Sequence, residues 1–225
     1  LKAEIAALTS KVIADYQNLK QFTENISHEL QSSLAIMQAK LGNFLDGSHL
    51  TDEQFQHLSS LQRDIQRLGL LNKKLVLLAT LEQRQSRDFE TVDLNAVTKE
   101  SVENFQEIST IPITLKEKNK ILVRVDKELL RVLIDNLISN AIRHSSEGGK
   151  IEIEIQDAAF TIRNSGEREL ENSEKIFDRF YKANPKVKVG SGLGLAIIKK
   201  VCSVFDYELS YTYEHGMHQF KVIIN

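Results

Sequence analysis

The sequence has only two prolines in 225 residues, Pro112 and Pro185, so its first 110 residues have none. A long helix there would meet no break. A single cysteine, Cys202, excludes a disulfide framework within the chain and fits a reducing compartment. No charge of one sign dominates: 29 basic residues face 31 acidic ones, a net charge of −2. That excludes the basic surplus that would point to nucleic acid or to an anionic membrane. No apolar run approaches the roughly 20 residues needed to cross a bilayer. The longest lies around Leu75 to Leu81. No signal-peptide pattern opens the chain. What is present is ordinary for a globular protein, with 41% hydrophobic residues. The length suits one large domain or two small ones.

The proline-free stretch carries a helical pattern. Leu1, Ile5, Leu8, Val12, Leu19, Phe22, Ile26 and Leu30 follow helical spacings, weakest around Asp15-Tyr16, and Leu34, Met37, Leu41 and Phe44 continue them. The spacing predicts a heptad seam, and a seam with one apolar stripe needs a partner helix. Asp46-Gly47-Ser48 is a turn signal. Thr51 with Gln54 reads as a capping box that opens a second helix. Phe55, Leu58, Leu61, Ile65, Leu68, Leu71, Leu75 and Leu78 give it a stripe. Two helices of ~40 and ~35 residues joined by a short turn form an antiparallel hairpin. A lone hairpin buries too little, so dimerisation into a four-helix bundle is expected.

After Gln83 the character changes. Arg84 to Asp88 is a polar linker. Leu94 to Ile108 is expected to be a helix capped by Asp93, and Ile121 to Val125 a strand. Asp126 caps a further helix that carries Leu129, Leu130, Leu133, Ile134, Leu137, Ile138 and Ile142. Ile151 to Ile155 alternates strictly, so it is a half-buried strand, and Phe160 to Arg163 pairs with it across a turn at Asp157-Ala158-Ala159. Leu193 to Phe205 is an apolar helix following glycines. Tyr207 to Tyr213 and Gln219 to Ile224 close the chain as a hairpin turning near His215-Gly216. The fold class is α+β, a dimerising hairpin (residues 1–85) followed by a sandwich of helices and sheet (residues 86–225) large enough for its own core.

Three constellations carry chemistry. His28 lies roughly 160–180° around the helix from Ile26 and Leu30, so it faces water. Glu29 is adjacent, and an anionic neighbour favours the imidazolium and can hold one ring nitrogen so that the other acts as nucleophile. A lone exposed histidine is more commonly only a surface residue, and helical neighbours do not face each other, so spacing alone does not pair them. Asn136, Asn140 and Arg143 share one face of the next helix, with His144 beside them. That face could be merely its wet side, yet asparagine is a mediocre helix former. An amide oxygen is a hard ligand suited to Mg²⁺, and arginine suits phosphate oxygens. Gly190, Gly192 and Gly194 then open a helix, where glycines admit phosphates to free backbone amides. No βαβ unit surrounds them and no Gly-Lys-Ser/Thr follows, so this is neither a Rossmann nor a Walker loop. Upstream, Ile176 to Lys182 is an aromatic, basic cluster, followed by a polar stretch from Ala183 to Val189 that would suit a mobile lid.

These pieces in this order resemble the H, N, G1, F and G2 boxes of sensor histidine kinases of two-component systems, over nearly the whole chain. The resemblance implies a dimerisation hairpin joined to an ATP-binding sandwich of the histidine kinase/gyrase/chaperone type. It implies that His28, within FTENISHELQSSL, is the phosphoacceptor and Glu29 its acid–base partner. Asn140 would hold Mg²⁺. Asn136, Arg143 and His144 would line the ATP pocket, with His144 stacking on adenine. Asn164, Gly166, Tyr181, Gly190, Leu193 and the phosphate-lining Gly192 and Gly194 would complete that pocket, and Lys182 would offset charge on the transferred phosphoryl.

The chain departs from the family pattern in three places. Ser33 stands where the family usually has proline, which removes an expected kink from the first helix. Ser32 stands where threonine is usual, on the His28 face, and keeps the hydroxyl that in the family orients water for dephosphorylating the partner. Asn164-Ser165-Gly166 opens the G1 box where aspartate is usual. An amide oxygen still accepts a hydrogen bond from adenine, without the charge-assisted gain, a loss on the order of 1–2 kcal/mol.

The expected function is ATP-dependent autophosphorylation of His28 and transfer to an aspartate in the receiver domain of a response regulator. The alternative, motivated by Asn164, is a weak nucleotide-sensing dimer that acts mainly as a regulator phosphatase or scaffold. A third reading is another ATPase of the gyrase or chaperone type, which lacks the histidine on an upstream hairpin. The expected assembly is a homodimer that binds no nucleic acid. The start at Leu1, within a heptad, is expected to cut a helix leading to an upstream sensor and membrane segment. The chain would then be the cytoplasmic portion of an inner-membrane-anchored bacterial receptor.

Overall fold

The computed structural model describes residues 2–47, 50–81, 89–170, 172–182 and 190–225. Within the first helix, side chains at 3–7, 9–10 and 12–24 are outside that description, and so are the seam positions Ile5, Val12, Leu19 and Phe22. The same holds for Leu1, for the polar linker Arg84 to Asp88 with the expected 85/86 division, and for the Ala183 to Val189 stretch. The chain divides into two compact units, Leu1–Thr80 and Leu81–Asn225.

The first unit is a hairpin of α1 (Lys2–Gly47) and α2 (Asp52–Thr80). Helix α1 runs without interruption through Ser33, the place where a proline would have removed a backbone donor. The start of α2 is fixed by a reciprocal capping box. Gln54 N donates to Thr51 Oγ1 at 3.3 Å, and Thr51 N donates to Gln54 Oε1 at 3.0 Å.

The expected seam of α1 splits in two. Leu34, Leu41 and Leu45 are half-buried with Gln31 and Gln38, while Ser27 is buried. Ile26, Leu30, Met37 and Phe44 are exposed, as are Phe55, Leu61, Leu68 and Leu75 of α2. The contact between α1 and α2 therefore uses a face rotated toward the polar side of the stripe. Within a single chain the rest of the apolar surface stays open. Asn72 Nδ2 donates to the Ser27 carbonyl oxygen at 3.0 Å in the middle of this contact.

The second unit is a layer of helices on a five-stranded sheet. Its elements are β1 (Glu90–Asp93), α3 (Leu94–Ile108), β2 (Ile113–Glu117), β3 (Leu122–Val125), α4 (Lys127–His144), β4 (Ile151–Gln156), β5 (Ala159–Ser165), α5 (Gly194–Phe205), β6 (Glu208–Glu214) and β7 (Met217–Ile223). The sheet order is β2-β4-β5-β7-β6, and β1 pairs with β3 as a separate ribbon. Strand β2 runs parallel to β4, with Ile113 opposite Ile151, and the other neighbours are antiparallel.

Local signals set these bounds. Asp93 Oδ1 accepts from Ala96 N at 3.2 Å and Asp126 Oδ1 from Leu129 N at 3.0 Å, so each aspartate satisfies an orphan amide of the helix it opens. Alternation puts Ile151, Ile153 and Ile155 of β4, Phe160 and Ile162 of β5, and Phe220 and Val222 of β7 on the face toward the helices. Leu130, Leu133, Ile134, Leu137 and Ile138 of α4 and Ile197, Ile198 and Val201 of α5 complete the core.

The opposite face is a polar lattice. Lys118 and Arg163 pair with Glu154 at 3.2 and 3.3 Å, and Arg163 Nε donates to Gln219 at 2.6 Å. Strands β1 and β2, absent from the sequence expectation, hold four and five residues with few apolar ones. Pairing supplies what their local pattern does not. Among the described residues no helix is long and apolar enough to cross a membrane.

Candidate functional site

The candidate residues fall in two places. In the hairpin, His28 and Glu29 are exposed on α1, and Ser32 is exposed one turn further on. The surrounding helix is uninterrupted, so the spacing of four keeps Ser32 on the His28 side.

The remaining candidates belong to the second unit and gather around the C-terminal half of α4. Asn136 and Asn140 are half-buried there, and Arg143 and His144 stand exposed in its last turn. Asn136 Nδ2 donates to the Val132 carbonyl oxygen at 2.8 Å. This spends the amide's donor on the backbone and leaves Oδ1 directed at the start of α5, 3.5 Å from where a Cβ on Gly194 would be. Arg143 Nη1 approaches Gly190 in the same way, at 3.3 Å. The Asn136–Arg143 face and the glycine segment are thus brought together, as the family resemblance implied. Loss of hydration, and then the charges of Arg143 and His218, press the His144 pKa below the usual histidine range. The shift favours the neutral ring.

The glycine segment is held by backbone geometry. Gly192 has φ +70, and a Cβ there would come within 2.8 Å of the Phe180 backbone. Only glycine admits both the left-handed conformation and that approach. Phe180 N donates to the Gly192 carbonyl oxygen at 2.9 Å, which ties the aromatic cluster to the segment. Leu193 is fully buried and anchors the start of α5, where Ile197 N returns to its carbonyl at 2.9 Å. Tyr181 and Lys182 are half-buried at the end of the described part of this loop.

Asn164 closes β5 on the core face and is 2% exposed. Its Nδ2 donates to the Ser165 carbonyl oxygen at 3.3 Å, so the amide oxygen is the acceptor left over. Gly166 follows, packed so tightly that a Cβ would overlap the His218 imidazole.

Sequence reasoning missed His218, Tyr211 and Tyr213, which lie under this turn. Tyr213 Oη donates to the Gly166 carbonyl oxygen at 3.1 Å, and Tyr211 Oη lies 2.9 Å from His218 Nδ1. A signal was present: His218 continues the alternation of Phe220 and Val222, so a titratable ring occupies a core position of the last strand.

For a cation, Asn140 offers a single amide oxygen. Among the described residues no cluster of three His, Cys, Asp or Glu side chains gathers. Mg²⁺ keeps several waters and is commonly shared with substrate phosphates, so one amide suits it better than it suits a metal needing an all-protein cage.

Residues 125–224 match the family described as histidine kinase-, DNA gyrase B- and HSP90-like ATPase. The chain is 32% identical over 205 residues to the sensor histidine kinase RppB of Synechocystis, which covers 84% of this chain and 45% of that protein. It is 30% identical over 223 residues to the sensor histidine protein kinase HK06 of Streptococcus pneumoniae, covering 93% of this chain and 49% of that one. The chain thus spans about half the length of these curated relatives. Among solved structures, full-length ShkA in complex with AMPPNP superposes with a TM-score of 0.73 at 19% identity, over 91% of this chain and 46% of that one, a likeness of fold.

Proposed function

We propose, from the premise that this chain belongs to the sensor histidine kinases, that it autophosphorylates His28 from ATP and passes the phosphoryl group to an aspartate of a response-regulator receiver domain. The observation that carries the proposal is the presence, in one chain, of an exposed histidine on a helical hairpin and an ATPase sandwich. Phosphoryl transfer asks for positioning and charge neutralisation more than for covalent chemistry by the protein. The imidazole nitrogen of His28 bonds to the γ-phosphorus, the bond from that phosphorus to the β–γ bridging oxygen breaks, and ADP leaves. Glu29 accepts the imidazole proton.

In the second unit, Asn164 accepts the adenine amine through its amide oxygen and His144 stacks on the ring. Asn136, Arg143, Gly166 and Tyr181 line the pocket, while Gly190, Gly192, Leu193 and Gly194 present backbone to the phosphates. Asn140 would hold Mg²⁺, which would supply neutralisation of phosphate charge, and Lys182 offsets charge on the transferred group. Ser32 orients water for a separate reaction, hydrolysis of the regulator's aspartyl phosphate to free aspartate and inorganic phosphate.

The working assembly is a homodimer. Its support is the open apolar row Ile26, Leu30, Met37 and Phe44 beside Leu61, Leu68 and Leu75, a surface suited to a four-helix bundle. Residues 1–85 would be the dimerisation and phosphoacceptor domain, and residues 86–225 the catalytic one. The intact protein would be a membrane-anchored bacterial receptor with this part in the cytoplasm.

The test is incubation with γ-labelled ATP and Mg²⁺. An acid-labile, base-stable label that disappears in His28→Gln is expected. Steady ATP hydrolysis without label overturns the proposal, and bound ATP without label favours the phosphatase or scaffold reading that Asn164 motivates.

A further inference from the structure

His218 is 7% exposed on the core face of β7, opposite Asn164 of β5 and Tyr213 of β6 in the strand register. Nothing in the kinase reading uses it. Yet three hydrogen bonds and one close packing contact tie its surroundings to the turn that follows Asn164. Gly166 N donates to the Gly216 carbonyl oxygen at 2.9 Å. Tyr213 Oη donates to the Gly166 carbonyl oxygen at 3.1 Å. Leu170 N donates to Tyr211 Oη at 3.3 Å, and that hydroxyl lies 2.9 Å from His218 Nδ1. The imidazole itself fills the space that any side chain at Gly166 would need. The turn 166–170 is therefore clamped at both ends by the β6–β7 hairpin, with His218 at the centre of the clamp.

We propose that His218 is a positioning residue for the nucleotide site, holding the turn after Asn164 in place through the chain His218–Tyr211–Leu170 and through its packing on Gly166. This rests on the reading that the unit binds ATP.

The Leu170 amide points at the Tyr211 oxygen, which leaves the hydroxyl proton available to His218 Nδ1. The proposal assigns that nitrogen as the acceptor. Protonation places a proton on Nδ1, removes the acceptor of Tyr211 and sets a charge near His144. Tyr211 and Tyr213 face the ring from β6, His144 at the end of α4 interacts with it electrostatically, and Glu169 of the turn acts on Tyr211. Burial holds the imidazole below the usual histidine range. The neutral form therefore prevails at neutral pH and is lost as pH falls through that lowered value.

The experiment measures ADP affinity by calorimetry between pH 7.5 and 5.5, with thermal unfolding as a control for folding. Wild-type affinity is expected to fall as pH drops toward the lowered imidazole value, more steeply than that of His218→Asn. His218→Phe, which keeps a ring without an acceptor, should bind about tenfold more weakly at pH 7.5. His218→Asn, which restores an acceptor near Nδ1, should recover part of that loss and show no fall with pH. Tyr211→Phe should weaken binding while leaving His218 in place, and His144→Asn should keep the fall. If His218→Asn follows the wild-type profile, or if His218→Phe binds as wild type, the proposal is overturned. If folded wild type binds no adenine nucleotide at any pH, the ATP reading fails and the proposal with it.

Discussion

Asn72 of α2 donates from Nδ2 to the carbonyl oxygen of Ser27, 3.0 Å away, and both residues are buried. Ser27 directly precedes His28. A buried hydrogen bond between two helices favours one register, because sliding the helices leaves its groups without partners. Here it fixes the level of α2 against the turn of α1 that carries the exposed histidine.

Asn72→Ala should therefore destabilise the hairpin by about 1–2 kcal/mol, the range for a lost buried hydrogen bond. The shift of the urea midpoint measures it. An unchanged midpoint would mean that the bond contributes nothing to the fold.

Leu68→Glu should dissociate the dimer. Leu68 is exposed within the single chain, in line with Leu61 and Leu75 at heptad spacing. A charge there leaves the hairpin intact and costs several kcal/mol only if a second copy covers it. Light scattering after size exclusion should show a monomer with wild-type helicity.

Asn164→Asp should bind ATP about fivefold to tenfold more tightly, through a charge-assisted hydrogen bond to the adenine amine. The same change places a buried carboxylate beside the Ser165 carbonyl oxygen, where the amide now donates. Without nucleotide the variant should melt earlier than wild type. Affinity that is unchanged or weaker would sink the account of this substitution.

Asp135→Asn should raise the melting temperature at pH 7.5. Burial pushes the Asp135 carboxyl above the usual aspartate range, against the opposing effects of the Ser101 hydroxyl and then of Arg131. An acid with a raised pKa in the folded state destabilises it while ionised, and the penalty is relieved as pH falls through the raised value. The advantage of the asparagine should accordingly shrink on acidification. A constant advantage across pH would place its origin elsewhere.

The fold was legible wherever one chemical rule acted locally. Asp93 and Asp126 announced helices because an aspartate oxygen satisfies amides two or three residues on, and the structure has both bonds. The alternation in Ile151 to Ile155 announced a strand with one covered face. Strand β2 was not legible, since its partner β4 lies some 38 positions later in register and its own five residues hold two apolar ones. The candidate site was named from an order of boxes that resembles a family's, and the structure brings Asn136 beside Gly194 and Arg143 beside Gly190. The His218 clamp escaped because its meaning lies across strands. Nothing near position 218 in the chain reveals that its ring would meet Gly166.

The pairing of β5 with β7 has one more consequence. These strands lock together from Ala159↔Ile223 to Ser165↔Met217, while the chain between them holds the glycine segment, the aromatic cluster and α5. The chain between Ser165 and Met217 is thus bounded by two strands already paired with each other. Doubling the length of such a loop costs only about 0.6 kcal/mol in closure entropy. A change of length in the exposed parts of that segment need not disturb the register of the sheet beneath. Variation among descendants of this chain should concentrate there.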